Sequence, residues 1–473
     1  MKISGLKYAH LGIIFSAFML LSACDSGSSD KASNTTSSGE AQVNPVEEAL
    51  KKEGAMPTLP VSAAKDGKEF TAEFVNKAIE SFDNEHWQMG GDHALYYNMH
   101  ISEVMPAGIA SPNYDYKPLE RDLRPELENL KTTTGKGELT LKEYAVHPHF
   151  KLQAMIFIHK GKIVYETYPG MQPTDRKVWA SAAKTSVGLI MAMLVQEGKV
   201  DLNKSVVEYV PELKGSVWDD VTVESVVNMA TGLDNEETAE SIMNPDSAVV
   251  RFFAAGMVAA YKPRETQGTW VDVARVQKKI QGEKQGELFR YASINTHVLT
   301  QLIENVENKK WTQVFEDRVW SKVYARQPAI FNIDPSGLAI PAGMLSTTPE
   351  DMARYATLFT PSWTAVASEQ VVTDDLLKTI RSAANPARFE KASKRKSSMG
   401  AFNEFAMGNA YQFDYIFEDG AMAKSGNMNQ MIYMDPKRDF AAIAFSSSPY
   451  HSGFGETKAP AYMRLAAKAL AGE

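Results

Sequence analysis

Residues suited to β-strands fall into two groups separated by a long stretch of helical pattern, and a chain built this way must assemble its sheet from distant segments. The first group is a pair of β-rich runs, Leu152 to His159 and Lys162 to Tyr168, flanking Lys160-Gly161 as a hairpin turn. The second comprises Tyr411 to Phe417, Gln430 to Asp435 and Phe440 to Ser446, with Pro436-Lys437-Arg438-Asp439 turning between the last two. Apolar residues at helical spacing dominate between the groups, and Ala459 to Ala471 reads as a closing helix. The arrangement is α+β. No fixed-period repeat is present, which excludes solenoids and propellers.

The 473 residues, 44% of them hydrophobic, suffice for one large domain or two smaller ones. Fifty Lys and Arg against 58 Asp and Glu give a net charge of −8, so the chain lacks the basic surface that nucleic acid requires. The only cysteine is Cys24, which removes disulfides and cysteine-based zinc sites. His147-Pro148-His149 has no extended His/Asp cluster beside it and reads as a loop, so no metal is expected. A Gly-x-Ser-x-Gly nucleophile elbow is also absent.

The N-terminus carries an export pattern: Lys2 and Lys7, an apolar run from Leu11 to Leu21, then Leu21-Ser22-Ala23-Cys24. That tetrapeptide resembles a bacterial lipobox, which implies a signal peptide over 1–23 and lipidation of Cys24; a plain secretory peptide containing a cysteine is the alternative. The implied location is the cell envelope, lipid-anchored and facing the periplasm. Asp25 after the cysteine resembles the inner-membrane retention signal of some enteric bacteria, a rule that not every group follows. Asp25 to Glu40, rich in Ser, Gly, Thr, Asn and Asp, has too few apolar residues to offset the entropy of ordering, so 24–66 reads as a flexible tether. Folded structure is expected from near Phe70, with a helix over Phe70 to Phe82, and 67–150 as a segment flanking the main domain, 151–473. Trp87 to Leu141 shows no assignable element.

Three short motifs carry chemistry. Ser181-Ala182-Ala183-Lys184 follows the hairpin and runs into an apolar helix, Ser186 to Gln196, that Gly198 can terminate. Serine at a helix start with lysine three residues on puts both side chains on one face, within reach of proton transfer. The spacing alone is weak: Ser4 with Lys7, Ser28 with Lys31, Ser62 with Lys65 and Ser393 with Lys396 share it, but only Ser181 lies between a hairpin and a buried-looking helix. The second motif is Tyr291-Ala292-Ser293, before a helical stretch from Val298 to Val306, and the third is Lys424-Ser425-Gly426, before an apolar run from Met431 to Met434. Taken singly, Ser181 reads as a helix cap, Lys184 and Lys424 as solvated lysines and Tyr291 as a core aromatic.

In this order and context the motifs resemble those of the serine β-lactamase and penicillin-binding-protein superfamily, over roughly Leu152 to the C-terminus. Gly198-Lys199-Val200-Asp201-Leu202, Asp220-Val221-Thr222-Val223, Met229-Ala230-Thr231-Gly232-Leu233 and Met344 to Met352 extend the likeness. It implies a β-lactamase/transpeptidase-like fold, an antiparallel sheet flanked by helices with an inserted, mostly helical domain. It implies no cofactor and an acyl-enzyme on Ser181, with Lys184 as proton acceptor and Tyr291 as proton relay. Lys424 would tune the phenol, and its charge, with burial, would help neutralise Lys184. The backbone N–H groups of Ser181 and Asn427 would form the oxyanion hole, and Ser293, Ser425 and Gly426 would contact substrate.

The tyrosine motif points to the class C-like side. Ser293, however, stands where class C β-lactamases have asparagine, with Asn295 two places later. That departure looks like the carboxylesterases and 6-aminohexanoate-oligomer hydrolases of the superfamily and favours a small ester or linear amide as substrate. A D,D-carboxypeptidase or β-lactamase acting on cell-wall peptides or β-lactams is the second reading, and a non-catalytic lipoprotein binding a ligand in the old pocket the third. Met344, Met407, Met422 and Met428 are offered either as an apolar groove or as core filler, and the run Lys391, Lys394, Arg395, Lys396 either as a contact for anionic lipid or cell-wall material or, the favoured reading, as a solvated loop.

Overall fold

The computed structural model describes residues 45–257, 268–448 and 458–473. Cys24 and the signal peptide lie outside the described residues, as does the tether up to residue 44. Among the described residues thirteen strands follow in chain order: β1 (Ala107–Ala110), β2 (Lys131–Thr134), β3 (Gly137–Thr140), β4 (Leu152–His159), β5 (Lys162–Thr167), β6 (Lys177–Val178), β7 (Ala329–Asn332), β8 (Leu345–Thr347), β9 (Gly408–Ala410), β10 (Phe413–Ile416), β11 (Met422–Gly426), β12 (Gln430–Asp435) and β13 (Phe440–Ser446).

Seven of them form the main antiparallel sheet, in the order β5-β4-β13-β12-β11-β10-β9. The β4–β5 turn is built as expected: Lys160 and Gly161 have φ of 50° and 74°, the paired left-handed residues of a tight hairpin. Along β4 the side chains alternate, Ala154, Ile156 and Ile158 entering one core and Met155 and Phe157 the other. The helix Pro349–Thr357, N-capped by Thr348, covers the first face, and the closing helix Ala459–Leu470 covers the second. Both faces are therefore buried, which accounts for the nearly unbroken apolar sequence of β4 and β13. Short and medium helices, including Val223–Val227, Ala248–Gly256, Trp270–Arg275 and Ser293–Glu307, occupy the stretch between β6 and β7. The expected helical insertion lies there.

Three boundaries differ from expectation. The C-terminal part of the expected tether, 24–66, is folded: helices Pro45–Leu50 and Ser62–Asp66 belong to the unit that starts at Asn44. No structural boundary separates 67–150 from the rest: β1 pairs with β7 inside a second sheet, ordered β1-β7-β8-β6, and Arg121 bridges to Ile163. Tyr411 to Phe417 is not one strand, since Tyr411 and Gln412 adopt φ of 44° and 69° and turn the chain between β9 and β10.

The helix expected over Phe70 to Phe82 spans Ala72–Glu80, with the Thr71 hydroxyl accepting from the Phe74 N–H. After it come helices Asn84–Met89 and Asp92–Tyr97, in the region without an assignable element. Their short apolar spans carry little periodic signal. A third core holds them down, joining Phe82, Trp87 and Tyr97 to Ala180, Met257, Ile340, Met344 and Met428.

Candidate active site

β6 delivers the chain to Ala180, whose φ of 47° is unusual for a residue with a Cβ, and a single 3-10 turn over Ala180–Ala183 then runs into the helix Lys184–Gln196. Every residue of that helix from Lys184 to Leu194 is buried. At Gly188 any Cβ would lie 1.8 Å from the carbonyl oxygen of Tyr411, so the close approach of the β9–β10 turn requires glycine. Gly198, with φ of 70°, follows the helix end.

Ser181 and Lys184 therefore stand one turn apart on a rigid support, and Lys184 Nζ lies 3.0 Å from Ser181 Oγ. The same amine donates to Ser293 Oγ at 2.9 Å and, in a very short contact, to the Ala342 carbonyl. A neutral amine has two N–H groups and one lone pair. With Ser293 and Ala342 taking the N–H groups, the lone pair is left for the Ser181 hydroxyl proton. Burial pushes Lys184 down to about 8; Glu237 and Asp414 oppose the shift and Lys394 assists it. Lys394 is thus an assisting cation beside Lys424, whose ammonium and that of Lys184 repel each other across Tyr291.

Ser293 opens the helix Ser293–Glu307, whose N-cap Ala292 offers no side-chain acceptor; the Glu237 carboxylate accepts the Ser293 N–H instead, a favourable place for an anion. Asn295 is fully buried against Asn235 and does not line the cavity, so it does not replace the missing class C asparagine.

Tyr291 is buried among three lysines. Its ring centroid lies 4.2 Å from Lys424 Nζ, 4.9 Å from Lys394 Nζ and 5.1 Å from Lys184 Nζ. Lys424 and Lys394 are held by one carboxylate, Asp414, at 2.5 and 3.1 Å. Asp414 also accepts the Ser425 hydroxyl at 2.7 Å and the Ser425 N–H at 3.2 Å. Burial pulls the Asp414 carboxyl upward, but the two ammonium groups and these hydrogen bonds outweigh it and hold it ionised. Lys394 is therefore not part of a solvated loop. It belongs to the helix Ser393–Phe402 and faces the cavity.

β11 brings Lys424 and Ser425 beside Ser181, and Gly426 allows the final approach. A Cβ there would lie 2.6 Å from the Trp179 carbonyl oxygen and 3.0 Å from both Ala180 Cβ and Ser181 N. Asn427 follows directly, so the backbone N–H groups assigned to the oxyanion hole sit on neighbouring segments at the cavity wall. The cavity, about 400 Å³, is lined by Ser181, Tyr291, Ser293, Ser425, Gly426 and Asn427 among others. Of the four methionines offered as a groove, only Met344 lines it; Met407, Met422 and Met428 pack in the cores, and Met257 is the second methionine of the wall.

The beta-lactamase family profile matches residues 152–467. The chain belongs to the beta-lactamase family. As a member it is a serine hydrolase, and the fold of its solved relatives agrees: a Bacillus anthracis structure carrying a provisional 6-aminohexanoate-dimer hydrolase name superposes with a TM-score of 0.64 at 20% identity, over 83% of this chain and 98% of that one. The 6-aminohexanoate-dimer hydrolase of Paenarthrobacter ureafaciens is 25% identical over 352 residues, 74% of this chain and 84% of its own length. Protein flp of Staphylococcus aureus strain MW2 is 22% identical over 329 residues, and the match spans 60% of that protein.

Several residues of this beta-lactamase-family site escape a motif search. Asp414 lies one strand away from Lys424, and Lys394 sits in a basic run with no apolar period. Glu237 follows the Met229 to Leu233 phrase without a pattern of its own. Trp87 and Gln88 line the cavity from outside the family match. Strand register alone places Asp414: β10–β11 pairs Tyr415 with Ala423, which sets Asp414 beside Lys424.

Proposed function

We propose that this serine hydrolase cleaves a small ester or linear amide through an acyl-enzyme on Ser181. The observation that carries the reading is the buried amine of Lys184, 3.0 Å from Ser181 Oγ with its other contacts satisfied by Ser293 and Ala342. Neutral Lys184 takes the hydroxyl proton while Oγ attacks the carbonyl carbon. The oxygen that becomes negative is met by the N–H groups of Ser181 and Asn427. Tyr291 delivers a proton to the departing alcohol or amine; in the second step its phenolate takes a proton from the attacking water, and Lys184 returns its proton to Ser181 Oγ as the acid leaves. Lys424 and Lys394, pinned by Asp414, favour negative charge on the phenol oxygen during each transfer. Ser293, occupied by Lys184, leaves no amide side chain for the contact that class C enzymes make, and the likeness to 6-aminohexanoate-dimer hydrolases points the same way.

The test is turnover of a short-chain p-nitrophenyl ester and of a chromogenic cephalosporin by the wild type and by Ser181→Ala. Ester hydrolysis that vanishes in the variant, without cephalosporin hydrolysis, is the expected result. Serine-dependent cephalosporin turnover would transfer the assignment to the β-lactamase branch, and ester hydrolysis surviving in Ser181→Ala would remove the nucleophile.

The lipobox-like Leu21-Ser22-Ala23-Cys24 supports envelope anchoring through Cys24. Metabolic labelling with a palmitate analogue, lost in Cys24→Ser, is the expected signature.

A further inference from the structure

The helix Asn84–Met89 lies before the first residue of the family match, yet it reaches the oxyanion side of the site. A ladder of amide contacts attaches it. Asn84 Nδ2 donates to the Ile242 carbonyl at 2.8 Å, Gln88 Nε2 to Asn84 Oδ1 at 3.4 Å, and Asn427 Nδ2 to Gln88 Oε1 at 3.4 Å and to the Trp87 carbonyl at 3.1 Å. The helix thus bridges the inserted region and the residue that follows the Lys-Ser-Gly motif. Asn84, Trp87 and Gln88 are all buried.

Trp87 turns its ring into the third core, beside Met257, Ile340 and Met344, and these four line the cavity together with Ile242 and Phe253. Tyr291 belongs to a different core, with Phe289 and Met229, and its surroundings are cationic. The cavity therefore has two unlike halves. A leaving group must face Tyr291 to receive its proton, so the acyl part of a substrate whose carbonyl oxygen points at Ser181 and Asn427 is left with the apolar half.

We infer that the helix Asn84–Met89 is the specificity wall of the acyl pocket, with Trp87 setting how large an apolar acyl group fits beside Ser181. The inference rests on the proposed hydrolase reading and names its substrate class, esters or amides of unbranched apolar acids.

The test measures kcat/KM for p-nitrophenyl esters from acetate to decanoate with the wild type, Trp87→Phe and Trp87→Ala. In parallel, n-alkanamides of the same lengths are titrated by calorimetry into Ser181→Ala with and without the Trp87 changes. Shortening the ring should move the preferred chain length upward and raise the decanoate-to-acetate ratio at least tenfold, in the order Ala above Phe above wild type. The alkanamide affinities should follow the same order without any chemistry. A ratio and an affinity profile that stay within twofold of wild type in the well-folded Trp87→Phe protein, checked by circular dichroism, overturn the wall. Absence of Ser181-dependent ester turnover overturns the hydrolase reading instead, and the calorimetric series then still decides whether Trp87 bounds an apolar pocket.

Discussion

Lys424 and Lys394 share one carboxylate: Lys424 Nζ meets Asp414 Oδ1 at 2.5 Å and Lys394 Nζ meets Oδ2 at 3.1 Å. The pair of cations over Tyr291 is thus a single three-residue unit with one buried anion at its centre. Asp414→Asn leaves two ammonium groups short of their counter-charge. Breaking a buried pair from one side costs roughly 3–5 kcal/mol, so chemical denaturation should show a loss of that order, with kcat for ester hydrolysis falling at least a hundredfold. A variant as stable and active as wild type would show that Asp414 holds nothing.

The acid limb of the reaction should report Lys184. Its amine works as a base only when neutral, so the acylation rate should rise with pH through an apparent value of about 8 and then level off. Stopped-flow acylation from pH 6 to 10 measures it. A rate already flat at pH 6.5 would assign the base elsewhere.

Two neighbours should move that limb in opposite directions. Glu237 favours the charged amine, so Glu237→Gln, which keeps an oxygen for the Ser293 N–H, shifts the limb to lower pH. Lys394 disfavours it, so Lys394→Met shifts the limb to higher pH. Each displacement should be roughly one to two units, the size expected for charges within about 10 Å at an effective dielectric near 20. Shifts of one sign in both variants would contradict the charge arrangement.

Gly426→Ala should damage catalysis more than folding. The added methyl meets the Trp179 carbonyl and Ser181 N, the group proposed as an oxyanion donor. Displacing such a donor costs about two to three orders of magnitude in kcat. Turnover together with a melting curve checks it, and a kcat within threefold of wild type would place the oxyanion hole elsewhere.

Lys177 offers a test of stability alone. It is fully buried, its Nζ is 3.2 Å from Ser447 Oγ, and burial pushes it down to about 7. In the unfolded chain it titrates near 10.4. Below pH 7 the folded protein carries the whole cost of burying the charge, and the cost fades as pH rises toward 10. Lys177→Met should therefore be more stable than wild type at pH 6, by up to roughly 5 kcal/mol at about 1.4 kcal/mol per unit, with the difference shrinking by pH 10. Paired urea titrations at the two pH values measure it, and a difference that grows with pH would have the wrong sign.

Much of this was legible from residue order. Strict local rules act at Lys160-Gly161, where two left-handed residues close a hairpin, and along β4 and β13, where burial on both faces demands apolar residues throughout. Ser181 and Lys184 are neighbours by helical geometry alone, so their contact needed no tertiary information. Asp414, Lys394 and Glu237 reach the site only through strand register and helix placement, which local pattern does not encode. The helices of residues 84–97 were illegible for another reason. Each is a turn or two long, and it is the core beneath them, not their own propensity, that makes them helical.

One pairing of the main sheet joins segments nearly 300 residues apart in the chain, with Leu152 opposite Ser446. Until the last strand arrives, β4 is an apolar ribbon with one bare edge, the form most prone to pairing with a stranger. Closing so long a loop is slow compared with forming a local hairpin. Ser181, made early, acquires the partners on β11 only once the C-terminal strands dock, so the order of synthesis itself sets an interval in which the chain exists and its chemistry does not.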